Sequence, residues 1–336
     1  MRLKTLTASL ILGAAMAGAA WGWGATGHRL LAEEAMRALP DYVPAFLRSP
    51  AGIADIGEYA REPDRWRDSG KLHDAERDPA HFIDLDDQGL TLAGQSLDDL
   101  PRTRSEFEAA LRAKSIDPAK SGYLPYATAD AWQQVVKDMA YWRVLTLVES
   151  READRTKKTW YRADRLRRET LTLRDIGILA HYMGDTTQPM HLSIHYNGWG
   201  NFPNPEGYTS SRIHVPVEGP FVRANVKGAD IRKQMRSYTP CTSAIEMCVN
   251  ARIKRQFVHV TPLYQLEKAG GFREGDPRGK AFVTARLAEG ADDLRDALLD
   301  AWRESKTMPV GYPSATYDEF LAGKVTDPYG SLYGND

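Results

Sequence analysis

The chain has 336 residues, of which 42% are hydrophobic, 26% charged and 10% aromatic, with a formal net charge of −1. This is ordinary globular composition, enough for one large core or two modest ones. The near-neutral balance excludes a broad electrostatic nucleic-acid footprint, but leaves room for a small site whose positive charge comes from metal ions.

In chain order, Arg2 and Lys4 precede an apolar, Ala- and Gly-rich run over residues 10–20. A basic start, an apolar run too short to span a bilayer and a small-residue zone predict an export signal over residues 1–22, cleaved after Ala20 or Gly22. No later stretch reaches transmembrane length, so the expectation is a periplasmic or secreted protein without stable membrane association. Helical patterns cover residues 29–39, closed by Pro40, and 51–61, stopped by Pro63. Residues 68–103 are polar and turn-rich and read as a long structured loop. Two long helices are predicted next. The first, 128–150, carries Trp132, Val135, Val136, Met139, Trp142 and Leu145 as a core stripe; the second, 159–184, is basic and solvated at first and apolar later. Residues 195–227 read as loop, and helices resume at 229–237, 244–270 and 279–305. The Pro-, Gly- and Tyr-rich tail, 308–336, reads as an extended wrap. With no internal repeat and no linker, the prediction is an all-α protein, one helical domain over residues 23–307 followed by that tail. Cys241 and Cys248 lie close together and fit a local disulfide that pins a connection between helices.

The chemistry concentrates in His181-Tyr-Met-Gly-Asp185-Thr-Thr-Gln-Pro-Met-His191. On a helix the four-residue step puts His181 and Asp185 on one face, roughly 5–6 Å apart at Cβ. Pro189 cannot continue that helix, so the chain turns and can swing His191 back toward the same point. A core His–Asp pair with His191 on the surface is the plainer reading of this stretch alone. The chain, however, holds eight histidines, and several more stand beside carboxylates: His81 in His-Phe-Ile-Asp84, downstream of Asp64, and His214 four residues before Glu218. His28, Asp64, His81, His181, Asp185, His191, His214 and Glu218 make enough ligands for two or three ions. A histidine-rich mixture suits zinc better than magnesium or calcium. Multinuclear zinc is suited to in-line hydrolysis of a phosphate ester, because the metals activate water at neutral pH and neutralise the phosphoryl and leaving oxygens. The residues alone thus lead to a zinc phosphodiesterase or phosphatase without choosing the ester. His195 reads as a surface histidine and His259 as a structural one, and His73 has no assigned role.

Trp23-Gly-Ala-Thr-Gly-His28, His81-Phe-Ile-Asp84 and His181-x-x-Gly-Asp185-x-Thr-Gln-Pro-x-His191 together resemble the single-strand-specific zinc nucleases of the S-one/P-one type, whose superfamily includes the bacterial zinc phospholipases C. The match runs in order from residue 23 to about 218. The resemblance implies an all-α fold with three zinc ions in a cleft. One would be held by Asp64, His81, His181 and Asp185, and a second by His191, His214 and Glu218. The third would be held by the amino group and carbonyl of a mature N-terminal Trp23, with His28 and a bridging Asp185. It also implies that Asp64 orients or deprotonates the attacking water, that Arg67 stabilises transition-state charge, and that Phe82 and Asp84 stack on a nucleobase and bond its edge. Glu218 departs from the Asp usual in the nucleases and matches the phospholipases, and Pro216 between His214 and Glu218 fits only a first helical turn.

The expected activity is therefore an exported, monomeric zinc nuclease and 3′-nucleotidase. It would cleave single-stranded RNA and DNA to 5′-phosphates, with nucleic acid as its partner and no protein partner indicated. The alternatives are a zinc phospholipase C and a non-catalytic, zinc-stabilised binding protein.

Overall fold

The computed structural model describes residues 23–334; the predicted export signal, residues 1–22, lies outside them. The described residues are mostly helical and form no sheet, only isolated bridges such as Ile83 with Gly122. The principal helices are α1 (Gly24–Arg37), α2 (Pro50–Tyr59), α3 (Arg104–Ala113), α4 (Leu124–Arg151), α5 (Arg155–Asp185), α6 (Ile245–Phe257), α7 (Val260–Lys268) and α8 (Pro277–Glu304).

Their starts follow capping chemistry. Ser49 accepts a hydrogen bond from the Gly52 amide (3.0 Å) ahead of Pro50, Asp154 from Lys157 (2.9 Å) and Asp276 from Arg278 (2.8 Å). Thr103 and Glu106 form a capping box at α3. Helices α4 and α5, of 28 and 31 residues, are joined by residues 152–154 alone. So short a link makes them an antiparallel hairpin roughly 42–46 Å long. The predicted stripe on α4 is the core face. Trp132, Val135, Val136, Met139 and Leu145 are buried, while Trp142 is half-buried and donates its indole N–H to Glu169 of α5 (3.0 Å). Each buried side chain of this kind contributes roughly 1.5–3 kcal/mol relative to exposure. Helices α1, α2 and α8 pack on the apolar C-terminal half of α5, so the His181–Asp185 end of that helix is the centre of the bundle.

Four predicted stretches fold differently. The long pattern over 244–270 is broken into α6 and α7, because Pro262 in the first turn of α7 has no amide to give and crowds the carbonyl four residues back. The loop 195–227 ends in helix: one turn at His214–Pro216, a widened turn at Val217–Phe221 that accommodates Pro220, and Val222–Asn225. The loop 68–103 contains a helix at Lys71–Arg77 and a 3₁₀ turn at Asp78–His81. The tail wraps as expected but is not simply extended. Short helices at Tyr317–Leu321 and Pro328–Tyr333 pack with Val144, Leu145, Val148 and Tyr161 into a second apolar cluster at the far end of the hairpin. The Cys241–Cys248 disulfide is formed. Among the described residues no helix is long and apolar enough to cross a membrane.

Candidate metal centre

The last turn of α5 delivers His181 and Asp185 to one point, both fully buried. The helix stops there because Thr186 and Thr187 turn their hydroxyls onto the Met183 and Gly184 carbonyls (2.7 and 2.8 Å), and Pro189 then opens a 3₁₀ turn, Pro189–Leu192, that carries His191. Around this point gather His28 from α1, Asp64 from the turn Glu62–Arg65, His81 from Asp78–His81, and His214 and Glu218 from the turns after the loop. All eight side chains are buried.

They form three donor groups: Asp64, His81 and His181; His28, His181 and Asp185; and His191, His214 and Glu218. Asp185 Oδ2 lies 3.2 Å from His81 Nδ1 and 3.3 Å from His181 Nε2, while its Oδ1 lies 3.5 Å from His28 Nε2. One carboxylate therefore faces two groups. Asp64 Oδ1 stands 3.9 Å from His181 Nε2 and 4.0 Å from His81 Nδ1. In the remaining group, Glu218 Oε1 is 2.6 Å from His214 Nε2 and 3.5 Å from His191 Nε2. The group built on His28 thus uses His181 as well as Asp185. Trp23 meets the site differently: its buried indole donates to the Gly184 carbonyl (3.0 Å) and to Thr187 Oγ1 (3.2 Å), and its carbonyl accepts from the Gly27 amide (3.2 Å). A terminal amine on Trp23 depends on cleavage at residues outside the described chain.

The imidazoles are oriented by backbone carbonyls. His181 Nδ1 donates to Ala60 O (2.8 Å), His191 Nδ1 to His81 O (2.6 Å) and His214 Nδ1 to Tyr196 O (2.5 Å). In a neutral ring so held, Nε2 is a bare lone pair turned inward. His191 and His214 then oppose their Nε2 atoms at 3.0 Å, and His181 Nε2 faces His81 Nδ1 at 2.9 Å. With both Nδ1 protons committed to carbonyls, neutral His191 and His214 would oppose two lone pairs, which repel unless a cation sits between them. His28 Nδ1 and Nε2, Asp64 Oδ1, His81 Nε2, Asp185 Oδ1 and Glu218 Oε2 are buried without a hydrogen-bond partner. Orphaned polar atoms of this kind are costly in a protein interior. Burial holds His28 down to about 3 and His81 and His214 down to about 4, so these rings are the neutral, ligating form. Burial works against charge on Asp185 as well, yet the neighbouring His181 and His191 outweigh it and keep the carboxylate well below its usual range. The residues present fit three dications, and a mixture of nitrogen and carboxylate oxygen donors fits zinc.

A cleft of about 540 Å³ opens over the centre, with His81, His191 and His214 in its lining. Arg67, Phe82 and Asp84 lie on its walls. Arg67 Nε is 3.9 Å from Asp64 Oδ1 and 3.7 Å from Asp78 Oδ1. Burial pushes the Asp84 carboxyl up to about 8. Phe82 is held by Gly122, whose left-handed backbone (φ 73°) bridges to Ile83; a Cβ there would lie 2.1 Å from the Phe82 carbonyl oxygen. Lys120, among the other lining residues, was not legible in the sequence. Lys120 reaches the cleft because its short helix is bridged to His81-Phe-Ile-Asp84, and Tyr196 because its carbonyl holds His214. Only Gly122 could have signalled Lys120, whereas the loop from Tyr196 to Phe202 reads in the sequence as a rim of the site or a lining of its cleft. Gln188 was also missed; its amide donates to Glu218 Oε1 (2.7 Å).

The other histidines lie apart. His195 is buried, against expectation: it stacks on Trp199 (3.7 Å between ring centres) and bonds Asp87 (2.8 Å). His73 accepts from Arg77 on the surface, and His259 packs half-buried beside Phe282 between α6 and α7. Comparison with protein-family models and with curated proteins found no match.

Proposed function

We propose that the chain is an exported zinc-dependent phosphodiesterase: a nuclease with 3′-nucleotidase activity on single-stranded RNA and DNA, built on the phospholipase C/P-one nuclease fold. The observation that carries this reading is the conjunction of three donor groups, two of them joined through His181 and Asp185, with a cleft walled by Phe82, Asp84 and Arg67. Three zinc ions in those groups would supply an activated water and neutralise charge on the phosphoryl and leaving oxygens. The chain does the rest. Phe82 offers a face on which an unpaired base stacks, a recognition mode open to single strands and closed to a paired duplex. Asp84 meets the edge of that base. Arg67, tethered between Asp64 and Asp78, turns a guanidinium toward the phosphate, where charge builds up in the transition state. Asp64 keeps an oxygen without a hydrogen-bond partner beside His81 and His181, suited to orienting a water and taking its proton.

The test is elemental analysis of the purified protein with hydrolysis of a single-stranded oligonucleotide, a nucleoside 3′-monophosphate and phosphatidylcholine vesicles. Near three zincs per chain, 5′-phosphate products and a loss of about 100-fold or more in Asp64→Asn are expected. Absence of zinc, or a zinc-loaded protein inert on nucleic acid, would sink the reading. Phosphocholine release outpacing nucleotide release would assign the site to phospholipids instead.

A further inference from the structure

His195 differs from His181, His191 and His214 in how its ring is used. In those three a backbone carbonyl engages Nδ1 and leaves Nε2 for the centre. At His195 the protein engages both nitrogens: Nδ1 bonds the Trp199 carbonyl (2.9 Å) and Nε2 bonds Asp87 Oδ1 (2.8 Å). No ring lone pair is left for an ion. The residue is nevertheless enclosed like a ligand, only 1% exposed, with Trp199 stacked on its face and Phe202 edge-on at 5.1 Å. An apolar ring would fill the same space without needing two acceptors, so the two bonds are what the histidine adds.

Those bonds fix the stretch that grips His214. The Nδ1 bond closes a turn from His195 to Trp199. Inside the turn, the Tyr196 carbonyl accepts from His214 Nδ1 (2.5 Å) and Asn197 Oδ1 accepts from the His214 amide (3.2 Å). Tyr264 of α7 holds the same turn through its hydroxyl, which donates to the His195 carbonyl (2.5 Å) and accepts from the Gly198 amide (3.0 Å). The Nε2 bond ties the turn to the segment that carries His81, Phe82 and Asp84. Residues 81–87 and 191–195 lie side by side, joined by the Ile83 amide on the His191 carbonyl (2.9 Å) and the Ile194 amide on the Leu85 carbonyl (3.1 Å). Asp87 and His195 continue that seam with side chains.

We propose that His195 is a positioning residue of the metal centre. By closing the turn 195–199 and anchoring it on Asp87, it aims the Tyr196 carbonyl at His214 and so sets how tightly His191, His214 and Glu218 hold their ion. The inference rests on the zinc reading of the centre and not on the choice of ester. A ligating imidazole owes its tautomer and its aim to the group on its other nitrogen, and loss of such a partner costs roughly 10–100-fold in metal affinity. His195 stands one step further out, acting on the carbonyl that acts on the ligand.

The experiment compares wild type, His195→Phe, Asp87→Ala and Asp87→Asn, each loaded with zinc, by competition with a chelator and by proton–nitrogen correlation spectra of the histidine rings. Phenylalanine keeps the stack on Trp199 and loses both bonds. In His195→Phe one zinc should weaken about tenfold or more, and the rings of His191 and His214 alone should turn metal-free as chelator rises. Asp87→Ala should shift the same ion in the same direction, and Asp87→Asn, which keeps an acceptor for Nε2, should hold zinc as wild type does. Wild-type zinc affinity in His195→Phe overturns the proposal. Equal weakening of all the ions also overturns it, because His195 would then be a packing residue. Should His195→Phe fail to fold, Asp87→Ala decides: Asp87 is exposed, so its loss removes the bond and little else, and an unchanged zinc affinity there overturns the proposal. A zinc-loaded protein inert on nucleic acid would fail the nuclease reading and leave this result standing, whereas a wild type that takes up no zinc would fail both.

Discussion

At the scale of single residues, the centre depends on groups that touch no substrate. Gln188 fixes Glu218 through its amide and at the same time accepts from the Met190 amide (3.2 Å), so one side chain both shapes the turn that carries His191 and orients a ligand of the same group. Gln188→Leu should weaken metal binding at His191, His214 and Glu218 by about 10–100-fold, the usual effect of losing such a partner. Competition with a chelator would measure it, and an unchanged affinity would remove Gln188 from the site. Gly184 works by absence. A Cβ on it would lie 2.9 Å from His28 Nδ1, and the Gly184 carbonyl already receives the Trp23 indole. Gly184→Ala must push α1 away from α5, at a cost of about 1–3 kcal/mol. It should also deplete one metal while sparing the His191 group, which elemental analysis and a melting curve would show together. The Gly at this position stands in the sequence motif, but its reason does not: the contact joins residues 156 positions apart in the chain, and only the packed bundle shows it.

At the scale of elements, legibility follows locality. The hairpin helices could be read because their apolar residues recur at three and four and Pro189 marks the end of the second, although both begin before the apolar pattern does, at Leu124 and Arg155. The helical turns at 214–225 and the two tail helices could not. They are short and owe their form to what they pack against, Gln188 in one case and Tyr161 in the other. The same distinction holds in the site: the ligands announced themselves by type and spacing, whereas the pairing of His28 with His181 needed the crossing of α1 over α5. The hairpin also carries a charge arrangement with a pH signature. Asp138 on α4 is fully buried, bonded to Arg168 (2.7 Å) and set against Asp175, and burial followed by the Asp175 contact pushes its carboxyl up to about 7. A carboxyl raised in the folded state binds its proton more tightly there than in the unfolded chain. Its contribution is therefore most favourable below the ordinary carboxylate range, and is lost as pH rises from that range toward about 7. Wild-type stability should fall across that window, and Asp138→Asn, which keeps an acceptor for Arg168, should flatten the fall. Denaturant midpoints at pH values on either side of the window would test this; parallel profiles for the two proteins would dismiss the raised Asp138 carboxyl as the cause.

For the whole molecule, the metal centre and the core occupy the same place. Helices α1 and α5, the turn Glu62–Arg65, the segment Asp78–His81 and the turn beginning at His214 each send a ligand to one point, so the ions would cross-link most of the bundle. Without them the opposed Nε2 atoms of His191 and His214 at 3.0 Å and the orphaned carboxylate oxygens would remain in a buried interior. The folded state should then be markedly destabilised by chelation, because ions that bind the native and not the unfolded chain stabilise by mass action, about 2.7 kcal/mol for each site at a free concentration 100 times its Kd. Dialysis against a strong chelator should lower Tm by many degrees, and zinc should restore it with a Tm that climbs with zinc concentration. The disulfide gives the control. It closes a loop of sequence separation 7 far from the ligands, so Cys241→Ser/Cys248→Ser should cost about 2 kcal/mol and leave the zinc dependence of Tm unchanged. A protein whose Tm ignores chelator while the disulfide variant melts as expected would show that the bundle stands without metal. The buried rings of His28, His81 and His214 would then stay neutral in the fold, and Tm should fall as pH drops below the ordinary imidazole range.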